Sequence, residues 1–198
     1  MNPFAFLLPL VSVLVGLAVT DVAKSLHVLL RARRRVRWDA LPLVAAFVAV
    51  LTTFNLWWRL FGSADPAPYL TLGGFLPLAA QLLVLYLLNA AALPDEVPPD
   101  GLDLRAFYEA NAPYFWTLFG VHVVILVGVR TVQFASAGPT ADGAGFAGLL
   151  LTNLAALASF VVLATVRRRW VHVATVAVLV VLAFTGWSGL TLPAPSPP

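Results

Sequence analysis

The sequence predicts an all-α polytopic membrane protein, a single domain over residues 1–198 with about six transmembrane helices arranged as three helical hairpins. Hydrophobic residues make up 61% of the chain and charged residues only 11%, a balance too apolar for a water-soluble core of this length. Apolar stretches of about 20 residues recur, which is the length needed to cross a hydrocarbon core of about 30 Å. Short clusters of arginine, proline or acid separate these stretches.

The predicted spans cover about 4–30, 40–61, 69–93, 106–132, 145–166 and 170–190. Each span is expected to be helical, because backbone groups in lipid must form hydrogen bonds within their own segment. No basic segment precedes the first span, and no convincing small-residue cleavage site accompanies it. We therefore expect it to be retained and not removed as a signal peptide.

Several spans have recognisable beginnings. Spans two and six follow arginine turns that end in tryptophan, at 33–38 and 167–170. Span four follows Asp103, which can cap a helix that starts at Leu104. Pro113 is expected to bend this helix, and the aromatic residues around it are typical of a segment at the membrane interface.

Span five carries small residues at every fourth position: Ala144, Gly148, Thr152 and Ala156. Such spacing lets the backbone approach a neighbouring helix closely. The neighbour is expected to belong to the same chain, to a second copy in a homo-oligomer, or to a partner membrane subunit.

The distribution of arginine predicts the orientation in a bacterial inner membrane. One cluster follows span one and consists of Arg31, Arg33, Arg34, Arg35 and Arg37, and a second occupies 167–169. The positive-inside rule then places both loops in the cytoplasm and both termini outside. All six tryptophans, Trp116 among them, fall near predicted span ends, where aromatic rings settle at the headgroup level.

The orientation also predicts which molecules the positively charged residues contact. The first arginine cluster is expected to contact anionic lipid. The net charge of +3 is mainly a consequence of the orientation, so we expect no nucleic-acid partner. The chain has no cysteine, which excludes disulfides and thiolate metal sites.

Helical counting places one strong polar side chain near the middle of each of four spans: Asp21, Gln81, His122 and Asn153. Each would be costly against lipid, so we expect them to turn inward and contact one another or water. Lys24 lies three residues after Asp21, on the same helix face. The functional interpretation is a pathway for a proton or a small cation in a channel or transporter-like protein. The structural interpretation is an internal ion pair that stabilises helix packing.

Two other functions remain open from the sequence. The first is a non-catalytic membrane scaffold or accessory subunit of a larger complex. The second is a haem protein with His27 and His172 as axial ligands, since both lie near the cytoplasmic ends of their spans. No motif of a known enzyme class and no metal-binding pattern is present, and we expect neither catalysis nor a metal.

Three stretches carry a resemblance: residues 16–38, the tetrapeptide 55–58, and the acidic loop that leads to the sequence DLRAFYEANAPYFW. Together they resemble a set of small bacterial six-helix inner-membrane proteins. The resemblance covers the first four spans. It implies location in a bacterial inner membrane and carries over no activity and no functional residue.

Overall fold

The computed structural model describes residues 4–61, 69, 71–136 and 142–187. This part of the chain forms six α-helices: α1 (Phe4–Arg31), α2 (Ala40–Phe61), α3 (Leu72–Ala90), α4 (Leu104–Ser136), α5 (Gly143–Thr165) and α6 (Arg169–Trp187). Within it, α1 to α5 are long and apolar enough to cross a membrane, whereas α6, assessed over Arg169–Phe184, is a shorter apolar helix. The all-α prediction is confirmed, and the helices are those of a membrane protein. Six crossings and three hairpins stay predictions.

Two loops are joined by a short parallel strand pair that the sequence analysis did not predict. Strand β1 (Val36–Arg37) follows α1, and strand β2 (Leu102–Asp103) precedes α4. In this pair Val36 lies opposite Leu102. The α1–α2 and α3–α4 loops therefore lie at the same end of the bundle.

The strand pair requires glycine beside it. Gly101 has a positive φ of 102°, and a Cβ atom there would lie 2.8 Å from the backbone oxygen of Arg35. A larger residue at this position would be strained both by its own backbone conformation and by this contact.

Asp103 caps α4, as predicted. Its Oδ1 accepts hydrogen bonds from the backbone amides of Arg105 at 2.9 Å and Ala106 at 3.2 Å. The Arg37 guanidinium lies 3.2 Å from Oδ2. The Ala106 amide, followed by the Arg105 amide and the charge of Arg37, lowers the pKa of the Asp103 carboxyl.

The centre of the bundle is packed along one stripe of α4, which includes Leu104, Tyr108, Ala112, Phe115, Phe119 and His122. Trp116 is fully buried beside this stripe. Its ring stacks on Phe119 at a centroid distance of 5.2 Å and on Phe160 of α5 at 5.9 Å. The prediction of an interfacial Trp116 is therefore wrong, because the ring packs between helices. Trp170, which is 68% exposed, fits the interfacial prediction.

Helix α5 lies at the edge of the bundle. It is described over its full length and buries only Phe160 and Leu163. Its small residues Ala144, Gly148 and Thr152 are exposed. Ala156, at the other end of that face, is half-buried and packs against the core. Most of the face is therefore not packed within the chain, and contact with a second subunit stays a prediction.

Candidate functional site

Gln81 and His122 are buried side chains on adjacent helices, 5% and 7% exposed. The side chain of Asn111 donates a hydrogen bond to the backbone oxygen of Ala91, which joins the start of α4 to the end of α3. Gln81 lies ten residues before Ala91 and His122 eleven residues after Asn111. Both therefore lie about 15 Å along their helices from this contact, near the middle of a bilayer.

Each of these side chains has a nitrogen with no hydrogen-bond partner among the described residues. The two atoms are Nε2 of Gln81 and Nδ1 of His122. A buried polar group left without a partner costs about 1–3 kcal/mol. We call Gln81 and His122 the midplane pair. Both are sequence-predicted site residues, and they lie at one depth on neighbouring helices.

Asp21 lies closer to the loops. It is half-buried on α1, and Lys24 is exposed. The ion pairs of the described residues do not include these two. Four residues after Asp21, the Ser25 hydroxyl donates to Asp95 in the α3–α4 loop at 3.1 Å. Asp21 is thus about one helical turn from that loop, and shallower than the midplane pair.

Asn153 and His27 lie on other helices than the midplane pair. Asn153 lies on α5, where its side-chain nitrogen donates to the backbone oxygen of Leu149 one turn earlier, at 2.8 Å. His27 is exposed on α1. A midplane cluster that also includes Asn153 stays a prediction.

A second polar region lies where α4 and α6 begin, around His172, which is 5% exposed. Its Nε2 lies 2.6 Å from the backbone oxygen of Val166. A carbonyl oxygen only accepts, so Nε2 donates and Nδ1 is free to accept from the Tyr108 hydroxyl at 2.9 Å. Trp116 in turn donates its Nε1–H to the Tyr108 oxygen at 2.9 Å. A neutral His172 therefore gives every polar group in this chain of contacts a partner.

The same region contains an ion pair. Arg169, the first residue of α6, lies 2.6 Å from Oδ2 of Asp39. The other oxygen of Asp39 accepts from the backbone amide of Leu41 at 2.9 Å, at the start of α2. We call the following five residues the loop-end cluster: Tyr108, Trp116, His172, Asp39 and Arg169.

Of the loop-end cluster, the sequence analysis proposed only His172 as a site residue, and for a different role. It placed Trp116 at the interface and Arg169 in a cytoplasmic loop. A signal for Tyr108 was present, because Leu104, Tyr108 and Ala112 lie at spacings of four that share one helix face. A signal for Asp39 was also present, since aspartate directly before an apolar helix is a typical cap. No sequence signal connects Arg169 with Asp39, which are 130 residues apart.

A cavity of about 270 Å³ adjoins the loop-end cluster, between the start of α4 and the turn from α5 to α6. Polar side chains in its wall are those of Tyr108, Glu109, Arg167, Arg169 and His172. Leu163 and Ala112 contribute to the apolar part of the wall. The cavity therefore combines an apolar side with charged groups.

The geometry disfavours haem ligation by His27 and His172. Both ring nitrogens of His172 are engaged in hydrogen bonds, so an iron would have to displace Tyr108 or Val166.

Comparison with known proteins assigns no family to this chain. No protein-family model matches it, and no curated protein or solved structure matches it significantly. A functional argument therefore starts from the apolar helices and from the two polar regions.

Proposed function

We propose that this protein is a non-enzymatic channel or transporter-like membrane protein that moves a proton or a small cation, with the midplane pair at the centre of its pathway. The observation that carries this proposal is the pair of unpartnered nitrogens on two side chains that are each more than nine-tenths buried. Ionisable and strongly polar groups inside a membrane are functional candidates by default, because they are costly to keep there.

In this proposal His122 and Gln81 have different roles. A neutral imidazole with an unpartnered Nδ1 can accept a proton there and later release it. The amide of Gln81 can orient a water molecule beside the ring, since it offers both donors and an acceptor. Asp21 and Lys24, which lie nearer the loops, belong to the entrance of the pathway. Asn153 bonds within its own helix and has no part in it.

The orientation belongs to the same proposal. The bacterial inner membrane holds the protein with the arginine-rich loops in the cytoplasm and both termini outside. The β1–β2 pair supports this orientation, because it brings the α1–α2 and α3–α4 loops together. The Arg169–Asp39 ion pair also supports it, since it joins the α5–α6 turn to the loop before α2.

The second candidate is a scaffold or an accessory subunit that carries nothing across the membrane. The observation that favours it is the exposed small-residue face of α5, where Gly148 and Thr152 allow another helix to approach closely. This candidate predicts assembly with another chain and no flux.

Proteoliposomes with a pH-sensitive dye inside distinguish the two candidates. We expect the wild-type protein to increase proton flux over empty liposomes and His122→Gln to reduce that increase by about a hundredfold or more, the usual contribution of a proton-transferring group. His27→Gln is the matched control, because it makes the same change at an exposed position, and it should leave flux unchanged. A folded wild-type protein without proton or cation flux contradicts the proposal, as does full flux in His122→Gln.

A further inference from the structure

We propose that the cavity beside the loop-end cluster binds the phosphate of an anionic phospholipid. The proposal concerns a binding site at one end of the bundle and does not depend on proton or cation transport. It rests on three properties of the cavity, which are its uncompensated charge, its depth in the membrane and its shape.

The charge comes from one arginine. Two of the ionised groups in the wall already have partners, because Arg169 pairs with Asp39 at 2.6 Å and Glu109 pairs with Arg105 at 2.8 Å. Arg167 has no ion pair among the described residues. The cavity therefore has one uncompensated guanidinium, a group whose planar donors match the oxygens of a phosphate.

The remaining polar side chains of the wall do not compete for this role. Tyr108 and His172 engage each other, and His172 also engages Val166. Their polar atoms are satisfied within the protein, so the Arg167 guanidinium is the group available to an anion. Tyr108 and His172 then shape the inner side of the cavity.

The cavity is also at the right depth for a lipid headgroup. Trp170 is 68% exposed beside it at the start of α6, and Tyr114 is 52% exposed on α4. Exposed aromatic rings of this kind settle at the headgroup level of a bilayer. Farther along α6, Val173 and Val178 are exposed and apolar, so acyl chains can lie against this helix.

The shape favours a headgroup over a whole amphiphile. About 270 Å³ is slightly below the usual size of a pocket that encloses a drug-sized molecule. A phosphate and the adjacent glycerol can enter, with the acyl chains outside along the helices. The arginines that follow α1 form a different surface, because they are exposed and line a separate, shallow depression.

The test uses the full chain in nanodiscs made of phosphatidylcholine with a minor fraction of phosphatidylglycerol. Lipids that remain bound after transfer to detergent are quantified by native mass spectrometry. We expect the wild type to retain phosphatidylglycerol preferentially. Arg167→Gln should reduce that preference about fivefold, the usual contribution of one arginine near an anionic membrane surface.

Two further variants separate the cavity from general charge effects. Arg168→Gln is the matched control, because Arg168 is next to Arg167 and exposed like it, but does not line this cavity. This variant should retain the preference for phosphatidylglycerol. Ala110→Leu fills the cavity from an exposed position on α4 without changing the charge, and it should reduce retention as Arg167→Gln does. Thermal melting of each variant verifies that it is folded.

Three results would overturn the proposal: no preference in the wild type, an equal loss in Arg167→Gln and Arg168→Gln, or unchanged retention in Ala110→Leu. Free phosphate is tested separately, with inorganic phosphate and glycerol 3-phosphate as competitors. Displacement of the retained lipid by millimolar glycerol 3-phosphate alone would assign the site to a soluble phosphate ester and overturn the lipid assignment. Resistance to that displacement supports it.

Discussion

The loop-end cluster and the midplane pair are both buried and polar, and they differ in how completely their hydrogen bonds are formed. In the loop-end cluster, Tyr108 joins Trp116 to His172, and the ring of His172 has a partner on each nitrogen. In the midplane pair, Gln81 and His122 each leave a nitrogen without a partner among the described residues.

This difference separates a structural role from a functional one. A fully hydrogen-bonded network in an apolar surrounding rigidifies the contact between the helices that contribute to it. An unpartnered group destabilises the fold, and its presence is easier to explain by a role in binding or transfer. The loop-end cluster therefore fits a role in the packing of α2, α4 and α6, and the midplane pair fits the proposed transport pathway. The following three changes test this assignment.

The largest effect is expected from Tyr108→Phe. The change removes one hydroxyl and leaves two buried groups without partners, the Trp116 indole N–H and Nδ1 of His172. At about 1–3 kcal/mol for each unsatisfied group, the free energy of unfolding should fall by about 2–6 kcal/mol. Denaturant titration of the protein in detergent, followed by tryptophan fluorescence, measures it.

Tyr114→Phe is the matched control for this change, because Tyr114 is on the same helix and 52% exposed. It should unfold like the wild type. If Tyr108→Phe is as stable as Tyr114→Phe, the loop-end cluster does not stabilise the helix contact, and its structural role is contradicted.

A smaller loss of stability is expected from Gly101→Ala, at the strand pair beside the loop-end cluster. Alanine would have to adopt a φ of 102° with its Cβ 2.8 Å from the Arg35 backbone oxygen. Strain of this kind costs about 1–3 kcal/mol. Gly73→Ala is the control, because no atom lies within 4 Å of a Cβ at that helical position, and it should be neutral or slightly stabilising. Equal melting temperatures for the two variants would show that the strand pair contributes little.

The smallest effect, and one of opposite sign, is expected from Gln81→Leu. Removal of an unpartnered buried amide should increase the free energy of unfolding by about 1 kcal/mol, while proton flux falls. Asn89→Leu provides the contrast on the same helix, because the side-chain nitrogen of Asn89 donates to Thr53 and to the Leu85 backbone oxygen, both at 2.8 Å, although its Oδ1 has no partner among the described residues. It should bring no gain in stability. A destabilised Gln81→Leu would mean that Gln81 has a structural partner, as the loop-end residues have.

The positions of the helices were largely predictable, whereas the directions in which they face were not. Span two was predicted at 40–61, the bounds of α2, because charged and aromatic residues mark both of its ends. The cap at Asp103 was predictable from the same local chemistry. Trp116 was assigned to the interface and is buried. Sequence position did not separate the two possibilities, because a tryptophan near a span end can face either the headgroups or the interior of the bundle.

Within the candidate site, the sequence identified Gln81 and His122 and also included Asn153, which bonds to its own helix. Depth along each helix follows from counting residues, at 1.5 Å each. The rotation of each helix about its axis does not, because lipid is as apolar as the protein interior and gives no strong contrast between the two sides. The same ambiguity applies to α5, which is the most apolar of the five long helices and the least buried.

By itself, the sequence determined that this protein is all-α, where its helices lie to within about four residues at each end, and which polar groups lie far from the helix ends. These properties follow from the length of apolar runs and from local capping, which depend on neighbouring residues. Only the tertiary structure decided that Tyr108 meets His172, that Asp39 meets Arg169, and that Ser25 meets Asp95. Contacts between distant segments depend on helix rotation and on the register between helices, and both are determined by side-chain packing across the whole bundle.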